Sequence, residues 1–249
     1  MKYALYGNVQ DIAIPFDRDD ENPDVVFSFG GDGTMLGAIH KYSEQLDQVK
    51  FIGINTGKLG FYTDFKIEEL SYIYEIIANK EYSENTYHLL EYHLKNKDSK
   101  LSGYAVNDLV LTNPIHTQII DVYINDKHFE TIRSTGILIS PPTGSTAYNK
   151  SLGGSIIDPH INAIQLTEIA AISNRVYRSL ASPLVLSDQS KIELRLDTNE
   201  NIYLSVDGMF LSFDNLESIS ANLSDKTVSF IVKKNTDFFD RVRRAFIED

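Results

Sequence analysis

The sequence predicts two domains, an α/β domain followed by an antiparallel β domain. In the first third of the 249-residue chain, apolar runs typical of strands alternate with stretches whose apolar residues recur at helical spacing. This alternation is typical of a parallel sheet covered by helices. From about residue 87 onward, apolar and polar residues alternate over short segments, which predicts closely spaced strands. A helical segment at the C-terminal end is expected to pack on the first domain.

The α/β domain is predicted over residues 1–86 and is completed by a C-terminal helix at 235–249. An acidic, irregular stretch, 17–23, separates its first two strands. The predicted strands are Lys2–Tyr6, Val25–Phe29 and Phe51–Ile54. Two helices are predicted from apolar residues that share one face. These residues are Met35, Leu36, Ile39, Tyr42 and Leu46 in the first helix, and Ile67, Leu70, Ile73, Tyr74 and Ile77 in the second.

The β domain is predicted over residues 87–234. Asn125-Asp126 predicts a tight hairpin turn between two of its strands. A helix is predicted to interrupt the strands at Ile161–Ile172, and the C-terminal helix is predicted to have Asn235 or Thr236 as its cap. The predicted strands are Tyr104–Thr112, Gln118–Ile124, His128–Arg133, Ile137–Ser140, Lys191–Leu196, Ile202–Val206 and Thr227–Val232.

The chain has a formal net charge of −12 and 42% hydrophobic residues, a composition ordinary for a soluble globular protein. We expect neither nucleic acid nor an anionic membrane as a partner, because the overall field repels polyanions. A polyanionic ligand therefore needs local donors or a divalent cation. We expect no membrane span and no secretory signal. The absence of cysteine excludes thiolate metal sites and fits a reducing cytoplasm. The six histidines are scattered without metal-ligand spacing, so no protein metal site is predicted.

The segment Gly30-Gly31-Asp32-Gly33-Thr34 lies where a predicted strand turns into a predicted helix. Open parallel sheets bind ligands at such turns, and glycines let backbone N–H groups approach a phosphate. A carboxylate beside phosphates repels them unless it holds a cation or takes a proton, so Asp32 indicates phosphoryl transfer. The alternative is that Asp32 caps the following helix. The motif is neither a P-loop nor a dinucleotide-binding Gly-x-Gly-x-x-Gly.

A second glycine turn, Asn55-Thr56-Gly57-Lys58-Leu59-Gly60-Phe61, follows the next predicted strand. Because consecutive parallel strands end at the same edge of a sheet, we expect the two glycine turns to lie together. The alternative is a tight loop in which Leu59 and Phe61 only pack.

Two polar segments of the β domain are candidates for ligand binding. Asn107-Asp108 interrupts an apolar strand pattern, where buried polar groups are costly without partners. This pair either presents an amide and a carboxylate to a ligand or marks a strand end in solvent. Residues 140–154 are rich in hydroxyl and small side chains and contain Tyr148, an aromatic residue suited to stacking on a base. They form either a binding loop or a surface loop.

Together these segments resemble NAD kinases, in which the same motifs occur in the same order. The resemblance runs nearly end to end and is strongest to the compact enzymes of Gram-positive bacteria. Gly-Gly-Asp-Gly-Thr alone is shared with lipid kinases and phosphofructokinases, whereas the combination is specific. The residues that carry it are Gly30–Thr34, Asn55–Phe61, Asn107-Asp108, Pro142–Tyr148, Asn149–Gly154, Leu166–Glu168, Ser173–Arg178 and Phe246–Asp249.

The resemblance implies an α/β domain, a C-terminal β-sandwich and a nucleotide site between them. It also implies transfer of a phosphate from ATP to the 2′-hydroxyl of the adenosine ribose of NAD, and a homotetramer, or at least a dimer. We expect Mg²⁺ to accompany ATP, because it would offset the acidic surroundings. Asp32 would be the proton acceptor, with Gly31 and Gly33 against phosphate. The residues implied to bind the dinucleotide are Asn107, Asp108, Arg133, Thr135, Thr143, Thr146, Ala147, Tyr148, Asn149, Lys150, Ser151, Ala170 and Gly208.

The sequence departs from the family pattern at three places. Many members have Asn-Glu where this chain has Asn107-Asp108, an acid where it has Thr135, and Thr where it has Pro141. These changes keep a non-catalytic NAD(P)-binding regulator open as an alternative. A lipid kinase is disfavoured by the negative charge and by the lack of a basic amphipathic helix. A dehydrogenase is disfavoured because no dinucleotide-binding fingerprint of that class occurs.

Overall fold

The computed structural model describes residues 1–8, 12–57, 60–196, 202–234 and 236–248. Lys58 and Leu59 of the second glycine turn, the candidate cap Asn235, and Asp249 lie outside these ranges. The chain divides into two compact units, one of Met1–Tyr87 with Lys226–Asp249 and one of His88–Asp225. Within the described ranges, none of the helices has the length and apolar composition that crossing a bilayer requires.

The strands, in chain order, are β1 Lys2–Gly7, β2 Asp17–Arg18, β3 Val25–Phe29, β4 Lys50–Asn55, β5 Phe65–Lys66, β6 Ser83–Lys95, β7 Lys100–Ala105, β8 Leu109–Thr112, β9 Gln118–Ile124, β10 Lys127–Ser134, β11 Gly136–Ser140, β12 Ala163–Ile169, β13 Leu184–Ser187, β14 Lys191–Leu196, β15 Tyr203–Val206, β16 Met209–Leu211 and β17 Ser218–Val232. The α-helices are α1 Asp32–Lys41, α2 Leu70–Asn79, α3 Tyr148–Ser151 and α4 Phe238–Phe246. Short 3₁₀ helices cover Ser43–Gln45, Ile67–Glu69 and Pro142–Thr146.

The first unit is built on a parallel sheet in the order β2-β1-β3-β4-β17, with β5 also beside β4. All five residues of β3 are buried, as expected for a central parallel strand. Helix α1 buries Met35, Leu36 and Ile39, and α2 buries Ile73 and Ile77. The predicted α/β architecture is confirmed. The predicted helix faces are confirmed in part, because Tyr42 and Leu46 are buried beyond the end of α1, and Ile67 precedes α2 and is exposed.

The second unit is a β-sandwich. One sheet has the order β13-β12-β11-β8-β15-β16, and the other contains β7, β6, β17, β14, β9 and β10. All neighbouring pairs of the first sheet are antiparallel, and so are β6–β7, β14–β17, β9–β14 and β9–β10 of the second. A single apolar cluster joins Leu94, Ile120 and Leu194 of one sheet to Leu111, Ile139 and Leu166 of the other. The expected β-sandwich is therefore confirmed.

The helix predicted over Ile161–Ile172 is wrong, because this segment forms β12. Strand β12 pairs with β11 on one side and β13 on the other, and every residue in it except Glu168 is buried. A strand covered on both faces does not show the alternation that identifies a half-buried strand. Its apolar spacing was therefore ambiguous between helix and strand.

Two other local predictions need correction and one is confirmed. The single strand predicted at Tyr104–Thr112 is two strands, β7 and β8, separated by residues 106–108. Asp237, and not Thr236, caps α4, because its carboxylate accepts the N–H of Asp240 at 2.8 Å. The Asn125-Asp126 hairpin is present, with φ values of +51° and +62° that match a two-residue turn between β9 and β10.

Candidate functional site

The glycine motif forms the turn between β3 and α1. Gly31 precedes the first helical residue, and its carbonyl accepts the N–H groups of Thr34 and Met35 at 3.0 and 3.1 Å. A Cβ at Gly31 or Gly33 would meet no described atom within 4 Å, and both residues are exposed. The N-terminus of the ten-residue helix α1, which carries a partial positive charge, therefore lies at accessible backbone. This geometry suits an anion such as a phosphate.

The Asp32 carboxylate is held by the second glycine turn. Its Oδ2 accepts the N–H of Phe61 at 2.9 Å, and its Oδ1 accepts the N–H of Tyr62 at 3.0 Å. Among the described residues, no side chain caps α1, so the alternative that Asp32 caps its own helix is wrong. Asp32 is half-buried, with its carboxylate plane set by two backbone donors. The two glycine turns lie together, as the sequence predicted.

The close approach of the loop to Asp32 requires glycine at position 60. A Cβ at Gly60 would lie 2.1 Å from Oδ1 of Asp32, which no side chain permits. The turn is also braced by Thr63, whose Oγ1 accepts the N–H of Gly60 at 2.9 Å and the Nδ2–H of Asn55 at 3.1 Å. The loop is therefore built to bring its N–H groups to the Asp32 carboxylate.

In the second unit, residues 106–108 are held by a residue that the sequence analysis missed, Asp207. Its carboxylate accepts the N–H groups of Val106 at 2.9 Å, of Asn107 at 2.6 Å and of Asp108 at 3.1 Å. Asp207 itself lies with Gly208 in the turn between β15 and β16, at φ values of +52° and +77°. An Asp-Gly pair between two apolar runs is a hairpin signal that could have identified this turn.

Asp108 is 5% exposed, so the alternative that this pair marks a strand end in solvent is wrong for its carboxyl group. Burial, and secondarily the negative charge of Asp207, raise the pKa of Asp108 to about 7. Asn107 is half-buried beside it.

The hydroxyl-rich loop packs directly on this turn. A Cβ at Gly144 would lie 1.7 Å from the carbonyl oxygen of Asn107, so only glycine allows the approach. Thr143 is buried and donates its hydroxyl to the carbonyl of Val106. Thr143, which the resemblance places among the ligand-binding residues, therefore also fastens the loop to the 106–108 turn.

The rest of this loop divides into accessible and buried residues. Tyr148 is 45% exposed, Ser151 is exposed, and Thr146, Ala147 and Lys150 are half-buried. Asn149 is fully buried, and its Oδ1 accepts the hydroxyl of Thr167 at 2.6 Å. Its Nδ2 has no hydrogen-bond partner among the described residues, which leaves one buried donor for a ligand or a water molecule.

The structure brings Arg133, Thr135 and Ala170 together at one end of β10 and β12. The hydroxyl of Thr135 donates to the carbonyl of Ile169 at 3.0 Å. The carbonyl of Arg133 accepts the N–H of Ile172 at 2.7 Å, and its guanidinium lies 4.2 Å from the ring centroid of Tyr177. Ala170 has a φ of +49°, an uncommon conformation for alanine. The side chain of Thr135 therefore braces the backbone at the end of β12.

Within the described parts of the chain, no three His, Asp or Glu side chains are grouped so that they could hold a metal ion. Mg²⁺ is often bound through one or two carboxylates together with substrate phosphates. The Asp32 carboxylate is the acidic group beside the turn between β3 and α1 that could contribute one ligand of that kind.

Comparison with protein families identifies two matching regions. Residues 15–82 match the ATP-NAD kinase N-terminal domain, and residues 106–226 match the ATP-NAD kinase C-terminal domain. The NAD kinase 1 of Listeria monocytogenes is 41% identical over 233 residues, which cover 93% of this chain and 88% of the relative. An NAD kinase of Streptococcus pneumoniae is 42% identical over 235 residues, 93% of this chain and 86% of the relative.

Solved structures show the same fold. A yeast NADH kinase crystallised with NADH superimposes with a TM-score of 0.81 and 27% identity, over 94% of this chain and 71% of the yeast chain. An NAD kinase of Archaeoglobus fulgidus in complex with ATP has a TM-score of 0.75 and 23% identity, over 92% of this chain and 90% of its own. The archaeal likeness concerns the fold.

Proposed function

The chain belongs to the ATP-NAD kinase family and phosphorylates NAD with ATP, and we propose that Asp32 accepts the proton of the hydroxyl that is phosphorylated. That hydroxyl is the 2′-hydroxyl of the adenosine ribose, and the product is NADP. The observation that supports the role of Asp32 is the pair of hydrogen bonds from Phe61 and Tyr62, which orients its carboxylate. Because the chain belongs to the ATP-NAD kinase family, the alternative of a lipid kinase is excluded.

Asp32 acts late in this mechanism. Phosphoryl transfer passes through a loose transition state, in which positioning and charge stabilisation matter more than strong base chemistry. A free aspartate has a pKa of about 4, far below that of a sugar hydroxyl, so it does not ionise the hydroxyl in advance. The held carboxylate instead orients the hydroxyl in line with the phosphorus and takes its proton as the new bond forms.

The two open glycines and α1 would receive phosphate oxygens. The backbone at Gly31 and Gly33 is accessible, and α1 contributes its positive end. A divalent cation, Mg²⁺ in our proposal, would neutralise phosphate charge in a chain whose own net charge is −12. Asp32 is the protein ligand available to it in this turn.

In the second unit, we assign the dinucleotide to the 106–108 turn and the loop packed on it. Asn107 and Asp108 would bind the adenosine ribose and base, and Tyr148 would stack on a ring. Thr146, Ala147, Asn149, Lys150 and Ser151 would line the pocket, with Arg133, Thr135, Ala170 and Gly208 at its margin. We further propose a homotetramer, or at least a dimer, which the resemblance implies, and a cytoplasmic location, which the absence of cysteine fits.

The test of Asp32 is the substitution Asp32→Asn. We expect NADP formation to fall by at least ~10²-fold, the low end for a positioned acid–base group, while NAD binding measured by calorimetry is retained. Asp47→Asn is the matched control, since Asp47 is an exposed acid in the same unit. Turnover in Asp32→Asn close to that of the control would remove Asp32 from the mechanism. Binding of NAD by the unsubstituted protein without NADP formation would instead indicate a regulator.

A further inference from the structure

The C-terminal helix α4 holds the loop that holds Asp32. The Nη2 group of Arg244 donates to the carbonyl of Gly60 at 3.1 Å. The next two residues of the loop, Phe61 and Tyr62, donate their N–H groups to the Asp32 carboxylate. Two hydrogen bonds, linked by the backbone between Gly60 and Phe61, therefore join Arg244 to Asp32, although the two residues are far apart in the sequence.

Aromatic packing reinforces this connection. The ring of Phe61 lies between the two ends of α4, with its centroid 6.4 Å from that of Phe238 and 5.7 Å from that of Phe246. The ring of Tyr62 stacks on Phe230 of β17 at 5.2 Å. Both residues that donate to Asp32 thus have their side chains fixed by the C-terminal part of the chain.

The far side of the loop is fixed to the same helix. Arg241 donates through Nε and Nη2 to the two carboxylate oxygens of Asp64, at 3.0 and 2.5 Å, and both side chains are almost fully buried. Removing one partner of such a pair leaves an uncompensated buried charge, so substitution of Arg241 or Asp64 is expected to destabilise the fold. Arg244 differs from Arg241 because it is half-buried and because, among the described residues, the hydrogen bond given for its guanidinium goes to a backbone carbonyl.

We propose that Arg244 is a positioning residue for the phosphoryl transfer, and that α4 acts as a clamp that keeps the 60–62 loop against Asp32. This inference rests on the proposed role of Asp32. Without the donor from Arg244, the Gly60 carbonyl is free to rotate, and the N–H groups of Phe61 and Tyr62 lose their register with the carboxylate. Asp32 then samples rotamers from which it cannot receive the hydroxyl proton.

The first experiment compares Arg244→Met with Arg243→Met. Arg243 is the exposed neighbour on the same helix, and its ion pair with Glu248 is solvent-accessible, so the control removes the same charge from the same element. We expect Arg244→Met to lower kcat about tenfold, the effect of one charge-assisted hydrogen bond, with KM values for NAD and ATP within about twofold. Arg243→Met should keep both constants. Equal kcat in the two variants would overturn the proposal.

The second experiment separates positioning from general loss of stability. Amide hydrogen exchange at Phe61 and Tyr62 should accelerate in Arg244→Met and stay unchanged in Arg243→Met. In the Asp32→Asn background, Arg244→Met should cause little further loss of kcat, because both changes act through one carboxylate. The proposal would be contradicted if the kcat losses of Asp32→Asn and Arg244→Met multiplied in the double variant. It would also be contradicted if hydrogen exchange at the amides of Phe61 and Tyr62 were unchanged in Arg244→Met.

A conservative variant covers the case in which Arg244→Met does not fold. Arg244→Lys keeps the charge and one donor, and we expect about threefold lower kcat with the same non-additivity toward Asp32→Asn. The outcomes also distinguish this inference from the proposed function. Normal turnover in Asp32→Asn contradicts the role of Asp32, whereas normal turnover in both Arg244 variants with an inactive Asp32→Asn contradicts only the clamp.

Discussion

Asp207 and Asp108 are joined by two hydrogen bonds, one between their backbones and one from the backbone of Asp108 to the side chain of Asp207. The N–H of Asp207 donates to the carbonyl of Asp108 at 3.0 Å, and the N–H of Asp108 donates to the carboxylate of Asp207 at 3.1 Å. The carboxylate of Asp207 accepts three N–H groups in all. The Asp108 carboxyl group is buried, and burial is the larger cause of its raised pKa, ahead of the negative charge of Asp207. The two acids of this turn therefore differ: backbone donors hold Asp207, whereas burial opposes the charge of Asp108.

The raised pKa of Asp108 predicts a pH dependence of stability. Between its ordinary pKa of 3.8 and the folded-state pKa of about 7, the folded protein binds a proton that the unfolded chain releases. The contribution of Asp108 to stability is therefore present below pH 4 and is lost as the pH rises to 7. Asp108→Asn removes this loss. Between pH 4.5 and 8, the free energy of unfolding of the variant should therefore rise by on the order of 3 kcal/mol relative to that of the unsubstituted protein. Thermal unfolding of both proteins across this range measures the difference.

The control for this pH effect is Asp214→Asn, an exposed acid of the same unit. Its stability curve should run parallel to that of the unsubstituted protein. If the curve for Asp108→Asn is also parallel, Asp108 does not titrate near neutrality and the argument from its burial is wrong.

Gly60→Ala tests the fit between the second glycine turn and Asp32. The new methyl group would lie 2.1 Å from Oδ1 of Asp32, so either the loop or the carboxylate must move. We expect kcat to fall at least about tenfold, since small misplacements of a reacting group are costly. Gly57→Ala is the matched control in the same loop, because a Cβ at Gly57 meets no described atom within 4 Å. Steady-state kinetics of NADP formation provide the comparison, and similar kcat values for both variants would contradict the prediction.

Tyr148 is predicted to bind the dinucleotide through its ring. Tyr148 is 45% exposed, which leaves apolar ring surface in contact with water. Stacking on a base or on the nicotinamide ring would remove that surface from water. Tyr148→Ala should raise the Kd for NAD about tenfold, which corresponds to about 1.4 kcal/mol. Tyr148→Phe keeps the ring and should bind NAD as the unsubstituted protein does. Calorimetric titration with NAD checks both, and weak binding by Tyr148→Phe would indicate that the hydroxyl, and not the ring, makes the contact.

Much of the fold was readable from short stretches of sequence. The run before Gly30 and the helix after it were predicted because β3 is uniformly apolar and α1 is amphipathic. The strand β14 was predicted with its observed bounds, since one of its faces is buried and the other is open. Strand β12 was misread because both of its faces are covered. Strand β6, Ser83–Lys95, was not identified, and its first residues lie ahead of the predicted change of domain at 87.

The sequence identified candidate site residues only where several of them lie in one short segment. The glycine motif, Asn107-Asp108 and the 140–154 loop each stand out because costly or unusual residues occur side by side. The partners of these residues did not stand out. Asp207 accepts hydrogen bonds from residues about 100 positions earlier, and of its turn the sequence analysis named Gly208 alone, as a residue that the resemblance implies.

Local order in this chain follows from residue spacing and turn chemistry, which act over a few positions and can be recognised without a structure. The orientation of Asp32 follows from contacts that span 29 residues to Phe61 and, from Gly60, 184 residues to Arg244. Such contacts depend on which strands become neighbours and on how side chains pack between them. Residue spacing does not predict which strands become neighbours, because that arrangement depends on the free energy of the whole folded unit.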